Sequence, residues 1–186
     1  MTIKTIPPSD FNEIPWKNGK GTTLELAISD GGDMNDFDWR LSIATVAQDG
    51  AFSNFPDITR NLILIEGAGI MLDHDEGSTT DALTSPLSIA RFNGGSMTKG
   101  TLINGPIKDF NVMAKASKYR LRVDTYTDIQ TITIPPCDIC FAYSLDSEIH
   151  VGDQRVPAGH LLKMTGSNQS IITGQQMILI LLNLVE

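Results

Sequence analysis

The chain has 186 residues, enough for one domain or for two small packed halves, and its 41% hydrophobic and 19% charged residues are a balance that fills a core and excludes disorder as the main state. Its 14 basic and 22 acidic residues leave a net charge of −8, which excludes nucleic acid and anionic membranes as expected partners, since both demand a basic face. A small anion stays open as a ligand, because one local arginine matters more to it than the net charge.

The first residues, Met1 to Pro8, hold no apolar run of signal-peptide length, and the longest apolar stretch, Met177 to Leu182, is too short to cross a bilayer. With only two cysteines as well, a reducing cytoplasm is the expected location. The best helix candidate is Pro8 to Ile14. Beyond it the dominant period is two. Thr22 to Ser29, Trp39 to Val46, Asn61 to Glu66, Ile70 to Asp73, Tyr119 to Tyr126, Thr131 to Ile134 and Met177 to Leu184 read as strands. Asn18-Gly19, Asn93-Gly94 and Asn104-Gly105 are tight-turn dipeptides, since both residue types tolerate positive φ. The polar run Asp73 to Asp81 reads as a surface loop, and the break nearest the middle falls at Lys115 to Lys118. Short strands with turn signals at close intervals predict an all-β sandwich or barrel. The chain is read as one domain over 1–186, with internal halves at about 1–115 and 116–186.

Three stretches carry chemistry. In Trp16 to Glu25 a glycine-rich turn with Asn18, Gly19 and Gly21 opens into a strand on which Thr23 and Glu25 share a face. The Gly-Lys-Gly-Thr string there lacks the spacing of a phosphate loop and runs into a strand, so nucleotide binding is rejected. In Trp39 to Arg60, Trp39, Leu41 and Ile43 form the expected core face, while Arg40 and Ser42 point the other way. A guanidinium among core positions needs a partner, either Glu25 or the carboxylate of a ligand, which its planar fork suits. In Asn104 to Met113, Asp109, Asn111 and Met113 share a face, and a carboxylate beside a carboxamide is natural in a ligand pocket. The bland alternative for Thr23, Glu25, Arg40, Ser42, Asp109 and Asn111 is the wet outer face of a sheet. Their clustering in three blocks favours a pocket.

Other chemistries fare worse. His74, His150 and His160 are never within two residues of one another, so no metal and no cofactor is expected, and His74, between Asp73 and Asp75, reads as solvated. Cys137 and Cys140 have redox spacing but sit in strand context, where about 10 Å separates the Cα atoms, beyond disulfide reach unless a turn at Asp138 brings them together; two reduced thiols are expected. No Gly-x-Ser-x-Gly elbow exists and no histidine lies in the three blocks, so a Ser-His-Asp triad is not expected.

Trp16 to Glu25, Trp39 to Arg60 and Gly105 to Met113 resemble, in order, the hallmark segments of the HutD/Ves family, over roughly the N-terminal two-thirds of the chain. At Phe92-Asn93-Gly94-Gly95 the chain has glycine where that pattern has an acidic residue. The resemblance implies a cupin-like barrel, two cupin-like halves packed in one compact unit. It also implies a link to histidine utilization or stress response, with a regulatory, metabolite-sensing role and urocanate or a formylated glutamate as natural ligands. No residue-level repeat relates the halves, so duplication follows from the resemblance alone. The expected ligand-binding set is Trp16, Asn18, Gly19, Gly21, Thr23, Glu25, Arg40, Ser42, Arg60, Asp109 and Asn111. Two functions stay open: a metal-independent binding protein, or a metal-free enzyme acting on a carboxylated metabolite with Glu25 or Asp109 as general base. A homodimer is compatible with either.

Overall fold

A computed structural model of the chain describes residues 1–16, 21–167 and 169–186. Its contacts divide it into two units, Asn12–Ser117, and Met1–Phe11 together with Lys118–Glu186. The second unit opens with β1 (Thr2–Ile6). The first contains β2 (Asn12–Pro15), β3 (Thr22–Ile28), β4 (Trp39–Val46), β5 (Gly50–Ala51), β6 (Ile58–Glu66), β7 (Ile70–His74), β8 (Thr79–Leu83), β9 (Ile89–Asn93), β10 (Thr98–Leu102) and β11 (Ile107–Lys115). The second resumes with β12 (Tyr119–Tyr126), β13 (Gln130–Ile134), β14 (Cys137–Ser144), β15 (Ile149–Val151), β16 (Gln154–Val156), β17 (Leu161–Ser167), β18 (Ser170–Gly174) and β19 (Met177–Leu184). Among the described residues no helix is long and apolar enough to cross a membrane.

The helix expected at Pro8 to Ile14 is absent. A single 3-10 turn at Pro8–Asp10 ends at Phe11, whose φ of −76° and ψ of 145° are extended. Asn12–Pro15 then pairs antiparallel with Thr22–Glu25, and Pro15 biases Ile14 toward extended backbone, so sheet hydrogen bonds win over a weak helical pattern. The loop expected at Asp73 to Asp81 is also shorter than that. β7 and β8 pair from Ile70↔Leu83 to His74↔Thr79, leaving only residues 75–78 as the turn.

Each unit is two antiparallel sheets. In Asn12–Ser117 the sheet orders are β2-β3-β4-β11-β6-β9 and β5-β10-β7-β8; in the other unit they are β1-β17-β14-β19-β12 and β13-β18-β15-β16. Adding eight to every label turns β4-β11-β6-β9 into β12-β19-β14-β17, and β5-β10-β7-β8 into β13-β18-β15-β16. The chain therefore holds two copies of one eight-strand jelly-roll topology, the cupin arrangement. The sheets of each copy face one another without closing into a single hydrogen-bonded barrel.

The two interiors differ in chemistry. That of the Lys118–Glu186 unit is apolar: Met177, Leu179 and Leu181 of β19 meet Cys140, Ala142, Leu162, Met164, Ile134 and Ile172. That of the Asn12–Ser117 unit has an apolar cluster of Val46, Leu62, Leu64, Ile70, Leu72, Leu83, Ala90 and Ile107, but the same strand faces continue into Arg40, Ser42, Arg60, Asp109 and Asn111, all buried. The opposite face of β4, β6 and β11 is buried too, with Leu41, Ile63, Phe110 and Val112 at 0% exposure. The expected core face of Trp39, Leu41 and Ile43 is thus the outward one, and the polar alternates turn into the sandwich.

Candidate functional site

The register of the six-stranded sheet lines the polar residues up in rows across the interior. Arg40 of β4 and Arg60 of β6 both lie beside Met113 of β11, and Arg60 is followed by Phe92 of β9. The next row runs Glu25, Ser42, Asn111, Leu62, Ala90, and the third Thr23, Ala44, Asp109, Leu64. Strict alternation on three adjacent strands builds this surface, so each polar group inherits its position from sheet register.

Within the rows the side chains pair. Arg40, 3% exposed, donates from Nε to Glu25 Oε2 at 2.6 Å, which answers its need for a partner, yet its Nη2 has none. Arg60 donates from Nε and Nη2 to Asn111 Oδ1 at 3.0 and 2.8 Å and from Nη1 to the Ser53 carbonyl at 3.3 Å. Its guanidinium carbon lies 5.1 Å from the Phe52 ring and 5.4 Å from that of Phe92, a setting that favours a desolvated cation. Asn111 passes its Nδ2–H to Asp109 Oδ1, while Asp109 Oδ2 has no partner. Burial lowers Arg60 to about 10, against the pull of Asp109, and burial raises Asp109 to about 7, against the Arg60 charge and the Asn111 hydrogen bond.

Nearer the rim, Trp16 Nε1 donates to Thr23 Oγ1 at 2.8 Å. A Cβ on Gly21 would stand 2.6 Å from the Thr45 carbonyl oxygen and 3.0 Å from the Trp16 ring, so this close approach requires glycine. Asn18 and Gly19 lie outside the described residues. Glu25, Arg40, Ser42, Arg60, Asp109 and Asn111 thus come together in the interior, with Trp16, Gly21 and Thr23 beside them.

The solvated reading of His74 is wrong. His74 is 2% exposed; Nδ1 bonds Thr98 Oγ1 at 2.9 Å, Nε2 bonds Asp81 Oδ2 at 3.1 Å, and its ring centroid lies 4.6 Å from that of Phe92. The missed signal was alternation: Ile70, Leu72 and His74 share the inward face of β7, while Asp73 points out. Phe52, Phe92 and Thr98 were missed with it. Among the described residues no three His, Cys, Asp or Glu side chains converge as metal ligands do. Cys137 and Cys140 are buried and form no disulfide. The hydrogen bond that the Cys140 thiol makes to Cys137, together with burial, pushes the Cys140 thiol up, away from nucleophilic chemistry. Two surface cavities, about 310 Å³ beside Met1, Ile3, Val151 and Ile171 and about 260 Å³ beside Met34, Phe37, Asn54 and Lys115, include no residue of the polar cluster. Chemistry, not cavity size, marks that cluster.

The HutD family model matches residues 8–180. The chain belongs to the HutD family. A 21.2 kDa protein of the hutC 3′ region of Pseudomonas putida is 32% identical over 124 residues, 67% of this chain and 64% of that protein. Protein Ves of Citrobacter koseri is 34% identical over 119 residues, 61% and 60% of the two chains. The match therefore spans a little under two thirds of these relatives. The structure of HutD from Pseudomonas fluorescens SBW25 superposes with a TM-score of 0.88 at 30% identity, covering 100% of both chains. A bacterial pirin from Escherichia coli, solved with nickel(II), superposes at 0.66 with 7% identity over 100% of both chains and shows the shared fold alone. The family member described here thus has a duplicated cupin-like fold in which, among the described residues, the buried charged side chains Arg40, Arg60 and Asp109 all lie in the Asn12–Ser117 copy.

Proposed function

We propose that the interior of the Asn12–Ser117 unit binds a small carboxylate-bearing metabolite, and that the protein acts as a metal-independent metabolite sensor linked to histidine utilization. The single observation that carries this reading is the pair of orphaned buried atoms, Arg40 Nη2 and Asp109 Oδ2, in an interior whose topological twin is apolar. A buried donor and a buried acceptor without partners each cost about 1–3 kcal/mol, a cost an entering ligand removes. Arg40, oriented by Glu25, offers its remaining N–H groups to a carboxylate, with Ser42, Thr23 and Asn111 in the adjacent rows as further hydrogen-bonding groups. The family's hut-linked naming directs the choice of ligand toward urocanate or a formylated glutamate.

Calorimetry with urocanate and N-formyl-L-glutamate tests this. Saturable binding that disappears in folded Arg40→Ala is the expected result; unchanged affinity in that variant refutes the assignment. Asp109, held at about 7, has the acidity of a general base, which favours one second reading, a metal-free enzyme acting on the same ligand class. Following the bound ligand by NMR separates the two, because a sensor returns it unaltered.

A further inference from the structure

Asp109 is 0% exposed, and among the described residues the hydrogen bond its carboxyl accepts comes from a neutral group, the Asn111 carboxamide. Both interior cations are engaged elsewhere: Arg40 on Glu25, Arg60 on Asn111 Oδ1 and the Ser53 carbonyl. An ionised Asp109 would therefore hold a buried negative charge on an Oδ2 that no donor meets. A protonated Asp109 has no such charge, and its Oδ2 becomes a donor in the interior. We propose that Asp109 serves the ligand site as a neutral acid, donating from Oδ2 to the ligand, so that an anion enters together with one proton.

This inference rests on the carboxylate-binding reading above and adds the proton as a second ligand. The polar and titratable groups of the same interior are Asn111 on the strand of Asp109, Arg40 and Ser42 on β4, Thr23 and Glu25 on β3, Arg60 on β6, and on the opposite sheet His74 with its partners Thr98 and Asp81. With Asp109 ionised, the charges of Arg40 and Arg60 are cancelled by Glu25 and Asp109, and an entering carboxylate leaves the interior net negative. With Asp109 protonated, the same carboxylate restores neutrality. In a desolvated interior the neutral state wins, because an uncompensated charge there costs several kcal/mol. The balance is one proton taken from solvent onto Asp109 for each anion bound above its titration range. Burial already brings the empty site's Asp109 to about 7, so a second anion nearby need only carry it higher.

Calorimetry with urocanate, which carries a single negative charge once its imidazole is neutral, between about pH 7 and about pH 9, in buffers of different ionisation heat, reads the coupling directly. The expected result is affinity falling about tenfold per pH unit as the pH rises above about 7, with close to one proton taken up per ligand at the alkaline end. Asp109→Asn, a permanent neutral donor, is expected to bind with a flat profile. A flat profile in the parent protein, or a slope that persists in Asp109→Asn and vanishes in His74→Gln, overturns the inference while leaving carboxylate binding intact. Absence of binding at every pH overturns both.

Discussion

Replacing Arg40 by methionine keeps the side chain's length and deletes its charge. Glu25 then loses the Nε contact at 2.6 Å and is left in an interior where it is 13% exposed. Breaking a buried pair by removing one partner costs about 3–5 kcal/mol, and residual hydration of Glu25 places this case at the lower end, about 3 kcal/mol. Glu25→Gln is milder: the amide oxygen still accepts from Arg40, so a loss of about 1–2 kcal/mol is expected. The double variant removes both charges and leaves neither stranded. Its loss should fall short of the sum of the singles by at least about 1 kcal/mol. Against a total of about 5–15 kcal/mol all three proteins stay folded. Urea denaturation followed by the fluorescence of Trp39, itself buried, measures each value without the ionic screening that guanidinium salts bring. Additivity within about 0.5 kcal/mol would show that the pair carries no net interaction, and the account of Arg40 as a guanidinium pre-oriented by Glu25 would fall with it.

Three further outcomes follow from the same coordinates. Leu41→Ala, at 0% exposure on the outward face of β4, should cost about 2–5 kcal/mol in urea denaturation; a parent-like midpoint would mean that face is not packed. Asp109 is raised from 3.8 to about 7, so the protonated form stabilises the fold fully below 3.8 and that stability is lost as pH rises through about 7, on the order of 4 kcal/mol. The stability of Asp109→Asn relative to the parent should therefore climb between these values and level off above about 7, and a difference independent of pH contradicts the assignment. Gly94→Ala should lower the thermal midpoint by several degrees, since its Cβ would stand 2.8 Å from the Phe55 carbonyl oxygen and 2.9 Å from that of Ile58, backbone atoms that cannot swing aside. An unchanged midpoint there would mean that the turn at residues 93–96 yields freely.

Alternation made the strands legible, and Trp39–Val46, Tyr119–Tyr126 and Met177–Leu184 match to the residue. It also grouped Arg40 with Ser42 and Asp109 with Asn111. Which face looks inward was legible only in part: clustering of the polar alternates favoured a pocket, but Leu41, Phe110 and Val112 are as buried as any interior residue and so read as the core. His74 was hidden by its acidic neighbours, whose side chains leave on the other face of the strand. The duplication was hidden for a different reason. The copies share strand order but not interior chemistry, with Leu179 and Leu181 on β19 where β11 carries Asp109 and Asn111, so no residue-level repeat survives. Within the block Phe92-Asn93-Gly94-Gly95, the glycine at 94 has a steric explanation. Gly94 exchanges backbone hydrogen bonds of 2.7 Å with Ile58 and Phe55, in a space without room for a side chain.

Two copies of one topology in one chain make an internal control. The fold does not require buried ionic groups, because the core of the Lys118–Glu186 copy is built of Leu, Ile, Val, Met, Ala and Cys side chains. Buried ion pairs are often replaceable by apolar residues of similar volume at no loss, and sometimes with a gain of about 1–4 kcal/mol. The polar rows of the other copy are therefore no device for stability, and their two orphaned atoms make that copy worse as a core than its twin. Departures from the rule that cores are apolar and satisfied concentrate where a protein does something besides fold. Stability in the Asn12–Ser117 unit falls instead to the doubly buried strands, where Leu41, Ile63, Phe110 and Val112 pack on the outward side and leave the inward side free for chemistry.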